Sequence, residues 1–243
     1  MMRHIDIHTH ILPSLDDGPT AVADALELAR QFVRNDTDRI FATPHGFSTV
    51  YHADPEVSQA ALTRFSKEVR RAGIDLTVRL GMEIHYHPRV VQTILEGRAL
   101  CLGSADTQRR YALIELPARD WPTELPEVIY ELALREIQTI IAHPERNLAA
   151  LAREQLIDEA LAEGAWLQLT AGSLTGQFGS ACERLSRRWL DAGKVHVIAS
   201  DAHDPRVRQA GLARAFARLD EWGLSSAGEQ CRRNAETIWR MTT

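Results

Sequence analysis

The sequence has few cysteines, no long apolar run and no excess of basic charge. The three cysteines, Cys101, Cys182 and Cys231, are widely spaced and odd in number, so they do not form a disulfide framework. No run approaches the roughly 18 apolar residues of a membrane span, and the first residues lack the basic-then-apolar pattern of a signal peptide. The net charge of -5 offers no electrostatic footprint for nucleic acid or an anionic membrane. We therefore expect a cytoplasmic protein that neither inserts into membranes nor binds nucleic acid.

Length and composition are those of an ordinary globular protein. The 243 residues are 44% hydrophobic and 25% charged, which is typical of a folded domain. A single α/β barrel of this length is common, and no linker, low-complexity tract or short repeat divides the chain. We expect one domain over residues 1–243.

Short apolar, β-branched runs alternate with longer amphipathic stretches. The predicted strands are 4–10, 39–45, 76–85, 111–117, 139–145, 166–172 and 195–201. The first amphipathic stretch places apolar residues at helical spacing, namely Val22, Leu26, Ala29 and Val33. Further helices are predicted near 55–72, 124–137, 151–163, 180–192, 206–222 and 226–240. Seven strands with helical connections predict a parallel α/β fold that closes into a barrel, with an open doubly wound sheet as the alternative.

The stretch RHIDIHTHILPSLDDG contains two histidines one residue apart. Alternate side chains of a strand share a face, so His8 and His10 point the same way. Imidazole is the commonest metal ligand, and such a pair can reach a single ion. Isolated H-x-H triplets are common, however, so the pair alone does not decide between a metal site and polar residues at the rim of a strand.

Histidines and carboxylates stand at the ends of six of the seven predicted strands. They are His8 and His10, His45, Glu83, Glu115, His143, and Asp201 with His203. Strands of a parallel α/β fold point the same way, so these ends gather on one face, where barrel enzymes carry their active sites. Burying so many titratable groups together is costly unless bound cations compensate. The sequence therefore predicts a metal site at the carboxyl ends of the strands.

These side chains are too many for one ion, and their number predicts two or three ions set close together. The set lacks a thiolate, which argues against a structural zinc site, and a shell of imidazole and carboxylate suits manganese, iron or zinc. Asp17, in the turn SLDDGP, is a further candidate ligand. A helix N-cap for the segment beginning at Pro19 is the alternative role of Asp17.

Seven motifs in this order resemble a known enzyme superfamily. They are DIHTH, DDGP, ATPH, GMEI, YALIE, AHPER and VIASDAH. Their order and spacing resemble the polymerase-and-histidinol-phosphatase (PHP) superfamily, and more closely its bacterial CpsB/YwqE-type protein-tyrosine phosphatases of capsule and exopolysaccharide operons. The resemblance extends to RRNAETI at 232–238 and so covers nearly the whole chain. It implies a distorted, TIM-like (β/α)7 barrel with its metal site at the C-terminal ends of the strands.

The same resemblance implies a trinuclear site, usually described with manganese. Its ligands would be His8, His10, Asp17, His45, Glu83, Glu115, His143, Asp201 and His203. Two or three Mn²⁺ ions are the expected cofactor, with iron, zinc, cobalt and magnesium as alternatives. Two arginines of the family contact the phosphate. One falls on Arg146 in AHPER and the other on Arg208, five residues after the final histidine, with Arg206 as the competing position.

The implied activity is hydrolysis of phosphotyrosine by a metal-activated hydroxide. The implied partner is the tyrosine-rich tail of a bacterial tyrosine autokinase that controls capsular or exopolysaccharide synthesis. Arginine presents a planar fork to phosphate, and the phenol of tyrosine, with a pKa near 10, leaves without a strong protein acid. A histidinol-phosphatase-like small-molecule phosphoesterase and a non-catalytic kinase-binding regulator are the alternatives, and an oligomer is compatible with the sequence.

The segment CERLSRR has the spacing of a different class of tyrosine phosphatase, which uses cysteine, five residues and then arginine. That class needs a phosphate-cradling loop of exposed backbone amides around a stabilised thiolate. The residues between Cys182 and Arg188 lack glycine, and Cys182, Leu185 and Trp189 form the apolar stripe of a helix. We therefore expect Cys182 to be a buried apolar residue.

Overall fold

The strands of the computed structural model are all parallel, and they follow one another in chain order around the fold. The structure describes residues 3–51, 53–103 and 109–241. Within these residues the strands β1 to β9 are His4–Thr9, Thr37–Ala42, His45–Gly46, Thr77–Leu80, Glu83–His85, Arg110–Glu115, Ile137–Ala142, Trp166–Thr170 and Val197–Ala199. They form a three-stranded sheet, β1-β2-β4, and a six-stranded sheet, β3-β5-β6-β7-β8-β9. The predicted parallel α/β fold is confirmed.

Helices connect most of the strands. Within the described residues, α1 to α10 are Val22–Arg34, Pro55–Arg71, Val90–Leu95, Leu125–Ala133, Leu148–Ala152, Gln155–Ala162, Ala171–Leu174, Ser180–Asp191, Leu212–Glu221 and Ser225–Met241, and a 3-10 turn spans Pro144–Arg146. Local chemistry sets several of these limits. Asp54, for example, caps α2, because its Oδ1 accepts hydrogen bonds from the backbone N–H groups of Glu56 and Val57.

Two predicted strands are each interrupted at the same level of the fold. The predicted strand 39–45 becomes β2 and β3, and the predicted strand 76–85 becomes β4 and β5. Ala42 pairs with Leu80 before the break, and His45 pairs with Glu83 after it, so the register is unchanged. Pro44 has no N–H to donate to a ladder, which accounts for the break on one strand. The seven predicted strand positions are therefore kept, but two of them are divided between the sheets.

Backbone hydrogen bonds connect β1 to the segment that follows β9. The N–H of His10 donates to the carbonyl of Ala202 at 2.9 Å, and the N–H of Asp201 donates to the carbonyl of His8 at 3.0 Å. This connection brings the carboxyl end of the first strand beside that of the last. The three-stranded and six-stranded sheets are thus joined at the carboxyl ends of β1 and β9.

Three apolar clusters hold the strands and helices together. One consists of β-strand residues from β1, β2, β6, β7 and β9 packed against Ile238 and Trp239 of α10. A second packs α1 and α2 against β2, with Phe32 and Phe65 at its centre. The largest packs α3 to α6, α8 and α9 against the six-stranded sheet. Apolar residues thus supply most of the packing, although a few polar side chains such as Asp6 and Gln138 are buried within the strands.

Truncation of a buried strand residue tests this packing. Ile141 in β7 is fully buried in the largest cluster. We expect Ile141→Ala to lower the free energy of unfolding by about 2–5 kcal/mol, because the change removes apolar burial and leaves a cavity. The matched control is Val57→Ala on α2, where the side chain is 52% exposed and the expected loss is within about 0.5 kcal/mol. Urea unfolding of chelated protein measures both, and equal losses would contradict the assigned core.

Candidate metal centre

The nine predicted metal ligands come together at the carboxyl ends of the strands. Among the described residues, four groups of histidines and carboxylates each have ligand atoms within 4.8 Å of one another. The groups are His10, Asp17, His45 and His203; His8, His10 and Asp201; His8, Glu83 and His143; and His45, Glu83 and Glu115. Together they contain the nine residues and no other. Shared members make the four groups one continuous cluster.

The carboxylate of Glu83 lies at the centre of this cluster. Its Oε2 is 3.2 Å from Nε2 of His8, 3.2 Å from Nε2 of His10 and 3.0 Å from Nδ1 of His45. Its Oε1 accepts a hydrogen bond from Nε2 of His143 at 2.7 Å. Glu83 is fully buried. A carboxylate in this position can bridge ions that the surrounding imidazoles bind.

Several buried nitrogen and oxygen atoms of the cluster lack hydrogen bonds. Their chemistry shows whether the residues suit a metal ion. Nδ1 of His45, Oε2 of Glu83 and Nε2 of His203 are inaccessible to solvent and have no partner in hydrogen-bond geometry among the described residues. Buried polar atoms without partners are costly. A divalent cation would satisfy all three, and a donor set of imidazole and carboxylate is one that manganese, iron or zinc accepts. The residues therefore fit a metal centre.

Asp17 lies at the solvent side of the cluster. Its Oδ1 is 3.2 Å from Nε2 of His203 and 3.5 Å from Nε2 of His45. The helix that follows begins at Val22 with Ala21 as its N-cap. The alternative role of Asp17 as the helix N-cap is therefore wrong, because the helix starts too far along the chain.

Two of the candidate ligands have a left-handed backbone conformation. His143 follows β7 with φ of 33°, and Asp201 follows β9 with φ of 53°. Residues other than glycine adopt such angles at a cost of about 1–3 kcal/mol, and they cluster at functional sites. The sharp change of direction takes each residue out of its strand and turns its side chain towards the centre.

Two side chains that the sequence did not single out orient the histidines of the first strand. Oδ2 of Asp16 accepts a hydrogen bond from Nδ1 of His10 at 2.7 Å, and it also accepts from the backbone N–H of His45. Oε1 of Gln168 lies 2.9 Å from Nδ1 of His8. In both histidines Nδ1 is thus occupied, which leaves Nε2 facing the cluster. Such contacts fix the tautomer of a metal-binding histidine.

His85 contacts the rim of the cluster in the same indirect way. Its Nδ1 is 3.1 Å from Oε2 of Glu115, and both side chains are half-buried. His85 therefore supports a candidate ligand without belonging to any of the four groups.

The two oxygens of Asp201 connect the cluster to two arginines. Oδ1 is 3.5 Å from Nε2 of both His8 and His10. Oδ2 accepts hydrogen bonds from Nη1 of Arg146 at 2.6 Å and from Nη2 of Arg208. Both arginines are about three-quarters buried at the edge of the cluster. Both arginines predicted to contact phosphate thus lie against the cluster.

Arg206, the competing position, points elsewhere. Its side chain is 78% exposed and forms an ion pair with Asp24 of α1 at 3.3 Å. The side chain of Asp204 accepts hydrogen bonds from the backbone N–H groups of Arg206, Val207 and Arg208. Of the two arginines, Arg208 contacts the cluster and Arg206 does not.

These hydrogen bonds to Asp204 lie where the sequence predicts the start of the helix over 206–222. The helix expected over 206–222 begins only at Leu212, so the prediction is wrong for 206–211. These residues form a loop instead, because the carboxylate of Asp204 holds the three N–H groups that follow it. The loop allows Arg208 to reach back to Asp201.

The carboxylates of the cluster shift the pKa values of its histidines. Burial disfavours an imidazolium, but Asp16 and Glu83 outweigh burial and raise the pKa of His10 to about 9. His45 is also penalised by burial, and Glu83 and Glu115 raise its pKa to about 9. Burial by itself would raise the pKa of Glu83, but His8 and His45 hold it well below its ordinary value. The cluster thus attracts positive charge, which bound cations would supply in place of protons.

Cys182 does not lie in a phosphate-binding loop. It is a buried residue of α8, the helix predicted over 180–192, and its Sγ contacts the carbonyl oxygen of Glu145 at 3.2 Å. Burial raises the pKa of its thiol, which opposes formation of a nucleophilic thiolate. The prediction that Cys182 is a buried apolar residue is confirmed.

Comparison with known proteins assigns the chain to a family. Residues 4–240 match the family model described as capsular polysaccharide synthesis, CpsB/CapC. The chain belongs to the CpsB/CapC family. Membership confirms the family resemblance that the seven sequence motifs indicated.

Individual members of the CpsB/CapC family are similar over most of their length. Tyrosine-protein phosphatase YwqE of Bacillus subtilis is 36% identical over 98% of this chain and 92% of its own. The putative tyrosine-protein phosphatase CapC of Staphylococcus aureus is 36% identical over 87% of this chain and 82% of its own. A crystal structure from a study of YwqE and of CpsB from Streptococcus pneumoniae, described as unique metal-dependent tyrosine phosphatases, superposes with a TM-score of 0.92 at 35% identity. It covers 98% of this chain and 95% of its own.

The helices were also compared with membrane-spanning segments. Across the described ranges 3–51, 53–103 and 109–241, no helix has both the length and the apolar character needed to cross a bilayer.

A glycine in the DDGP turn offers a test of how the turn positions Asp16 and Asp17. A Cβ atom at Gly18 would lie 2.0 Å from the backbone carbonyl oxygen of His10, so Gly18→Ala must displace the turn. We expect Mn²⁺ affinity to fall about 10- to 100-fold, the effect typical of disturbing the groups that orient metal ligands. Isothermal titration of chelated protein with MnCl₂ measures the affinity.

The matched control is Gly211→Ala, where the nearest atom to the new Cβ is 3.8 Å away. It should bind Mn²⁺ as the unmodified protein does. Unchanged affinity in Gly18→Ala would show that the turn does not position the centre.

Proposed function

We propose that this chain is a metal-dependent protein-tyrosine phosphatase that works as a single PHP domain over residues 1–243. The observation that carries the proposal is the shared carboxylate of Asp201, which joins the candidate metal ligands to Arg146 and Arg208. The names of the relatives YwqE, CapC and CpsB support the same activity. In this proposal the nine clustered residues bind two or three divalent cations, with Mn²⁺ preferred.

The cations and the arginines have separate tasks in this proposal. Bound cations supply Lewis acidity and lower the pKa of water towards neutrality. Arg146 and Arg208 present planar forks of N–H donors to the phosphoryl oxygens, which a lysine could not match. Their position against one oxygen of Asp201 orients both forks before substrate arrives. Preorganised donors of this kind stabilise the charge that develops in phosphoryl transfer.

The histidines and carboxylates hold that arrangement in place. Asp16 and Gln168 fix His10 and His8, while Glu83 lies between the imidazoles. The departing phenolate of tyrosine, with an ordinary pKa of about 10, needs no strong protein acid. Phosphotyrosine is therefore a suitable substrate for a site built from cations and arginines alone.

The physiological setting follows from the family. We propose a tyrosine autokinase as the phosphotyrosine partner, in the cytoplasm of a bacterium that makes a capsule or exopolysaccharide. The family description, capsular polysaccharide synthesis, supports this setting.

Metal removal combined with three substitutions tests the chemistry. We expect chelated protein to be inactive on a phosphotyrosine peptide and to recover with MnCl₂. His10→Ala should lose nearly all activity, and Arg146→Ala should lose about 10²- to 10³-fold in kcat, the usual effect of removing a preorganised donor. Cys182→Ser should keep full activity, because the thiol is buried in α8 and Cys182 belongs to none of the four groups of candidate ligands.

Activity that survives chelation but is lost in Cys182→Ser would contradict the proposal. Histidinol phosphate is tested in parallel, and a preference for it over the peptide would assign the chain to a small-molecule branch of the superfamily.

Separate substitutions of two neighbouring arginines test which one binds phosphate. With p-nitrophenyl phosphate, Arg208→Ala should lower kcat/KM about 10²-fold because a donor aimed at the phosphate is removed. Arg206→Ala should stay within about twofold, since Arg206 forms only a surface pair with Asp24. Steady-state kinetics at saturating MnCl₂ give both values. A larger loss in Arg206→Ala than in Arg208→Ala would reverse the assignment.

A further inference from the structure

A groove with a volume of about 550 Å³ is lined in part by the loop that carries Arg208. It runs between the segment 175–179, which follows α7, and the loop 204–211, which precedes α9. Its size falls within the range of small-ligand sites. The described residues that line it include Arg206 and Arg214 and no carboxylate. We call it the cationic groove.

The two segments that line the cationic groove are next to the residues that contact or carry the two arginines of the cluster. Nε2 of Gln177, which lines the groove, donates a hydrogen bond to the carbonyl of Val207 at 2.9 Å. The next residue, Arg208, reaches Asp201. The ring of Phe178, the residue after Gln177, stacks against the guanidinium of Arg146, whose Cζ is 4.6 Å from the ring centroid. The groove and the two arginines are thus connected through two short segments, 177–178 and 207–208.

The charges of the cationic groove are available to a ligand. Arg214 is exposed and, among the described residues, has no ion pair or hydrogen bond. Arg206 is 78% exposed, and its 3.3 Å pair with Asp24 is a surface contact of little strength. The whole chain has a net charge of -5, so two arginines and no carboxylate in the described lining of one groove are a local reversal of its charge.

The remaining lining suits an extended peptide. Ala171, Ala210 and Gly211 are small, and a Cβ at Gly211 would meet nothing closer than 3.8 Å. The side chain of Val207 is 73% exposed at the same place and offers an apolar contact. Main chain can thus approach the walls while its side chains reach the arginines.

We infer that the cationic groove is a substrate subsite that binds acidic residues flanking the phosphotyrosine of a protein substrate. The inference rests on the proposed function, because it requires a phosphotyrosyl chain in the adjacent centre. Opposite charges speed association and contribute modestly to affinity when both groups are exposed. The subsite therefore acts mainly on KM, and its effect weakens as salt rises.

Three phosphotyrosine peptides that differ only in their flanking residues test the inference. Their flanks are glutamate, alanine or lysine, and kcat and KM are measured at low salt with saturating MnCl₂. The unmodified protein should prefer glutamate over alanine flanks by about two- to fivefold, the effect of one or two exposed ion pairs. Arg214→Glu should abolish that preference and favour lysine flanks, with kcat unchanged. Arg64→Glu, at an exposed position of α2 outside the groove, is the matched control and should leave the preference intact.

Each outcome bears on the inference separately from the proposed function. If Arg214→Glu changes the three peptides equally, or changes none of them, the cationic groove is not a flanking subsite. If no peptide is hydrolysed by the unmodified protein, the proposed function fails. Fluorescence anisotropy with labelled peptides then tests the groove, because binding does not depend on hydrolysis. Tighter binding of the glutamate-flanked peptide that reverses in Arg214→Glu would support the subsite. Equal binding of all three peptides would overturn it.

Discussion

The two oxygens of Asp201 face different partners, and the geometry of the site depends on that division. One oxygen faces His8 and His10, and the other accepts hydrogen bonds from Arg146 and Arg208. A fully buried carboxylate is costly unless it is well paired, and these four cationic or dipolar groups pair it on both sides. Its backbone N–H is bonded to the carbonyl of His8. The relative positions of the candidate metal ligands and the two arginines are thus set by one residue that is held at both its side chain and its main chain.

The apolar cluster that packs against α10 and the candidate ligands occupy different parts of the strands. Apolar residues of β1, β2, β6, β7 and β9 pack with α10, while the carboxyl ends of the strands carry the titratable groups. The imidazoles with raised pKa values, His10 and His45, offset part of the negative charge of the carboxylates. Such a concentration of charge would destabilise a protein without partners for it. Some buried nitrogen and oxygen atoms of the cluster, among them Nε2 of His203, have no hydrogen bond. They indicate that bound cations offset the rest of the negative charge.

The sequence predicted the residues of the cluster better than it predicted their support. Residues such as Glu83 could be found because a parallel fold gathers strand ends on one face, and Arg146 because it lies in a recognisable motif. Asp16 and Gln168 could not, since they act through an imidazole and follow no periodicity of their own. The break in the third predicted strand was missed because apolar residues alternate from Leu76 to Ile84 across it. The break in the second was missed because Pro44 was included in the strand although it has no N–H to donate. The start of α9 was misplaced because the side chain of Asp204 competes for backbone N–H groups.

The hydrogen bonds between β1 and residues 201–202 join segments that a ribosome makes early and late. His8 and His10 emerge long before Asp201, His203 and Arg208, so a nascent chain carries partial ligand sets without the shared carboxylate. Contacts between such distant parts of a sequence form late in folding, because a long loop must first close. Ions captured by a partial set would have fewer donors and no adjoining arginines. The candidate site is therefore complete only after residues 201–208 have been made and have reached the first strand.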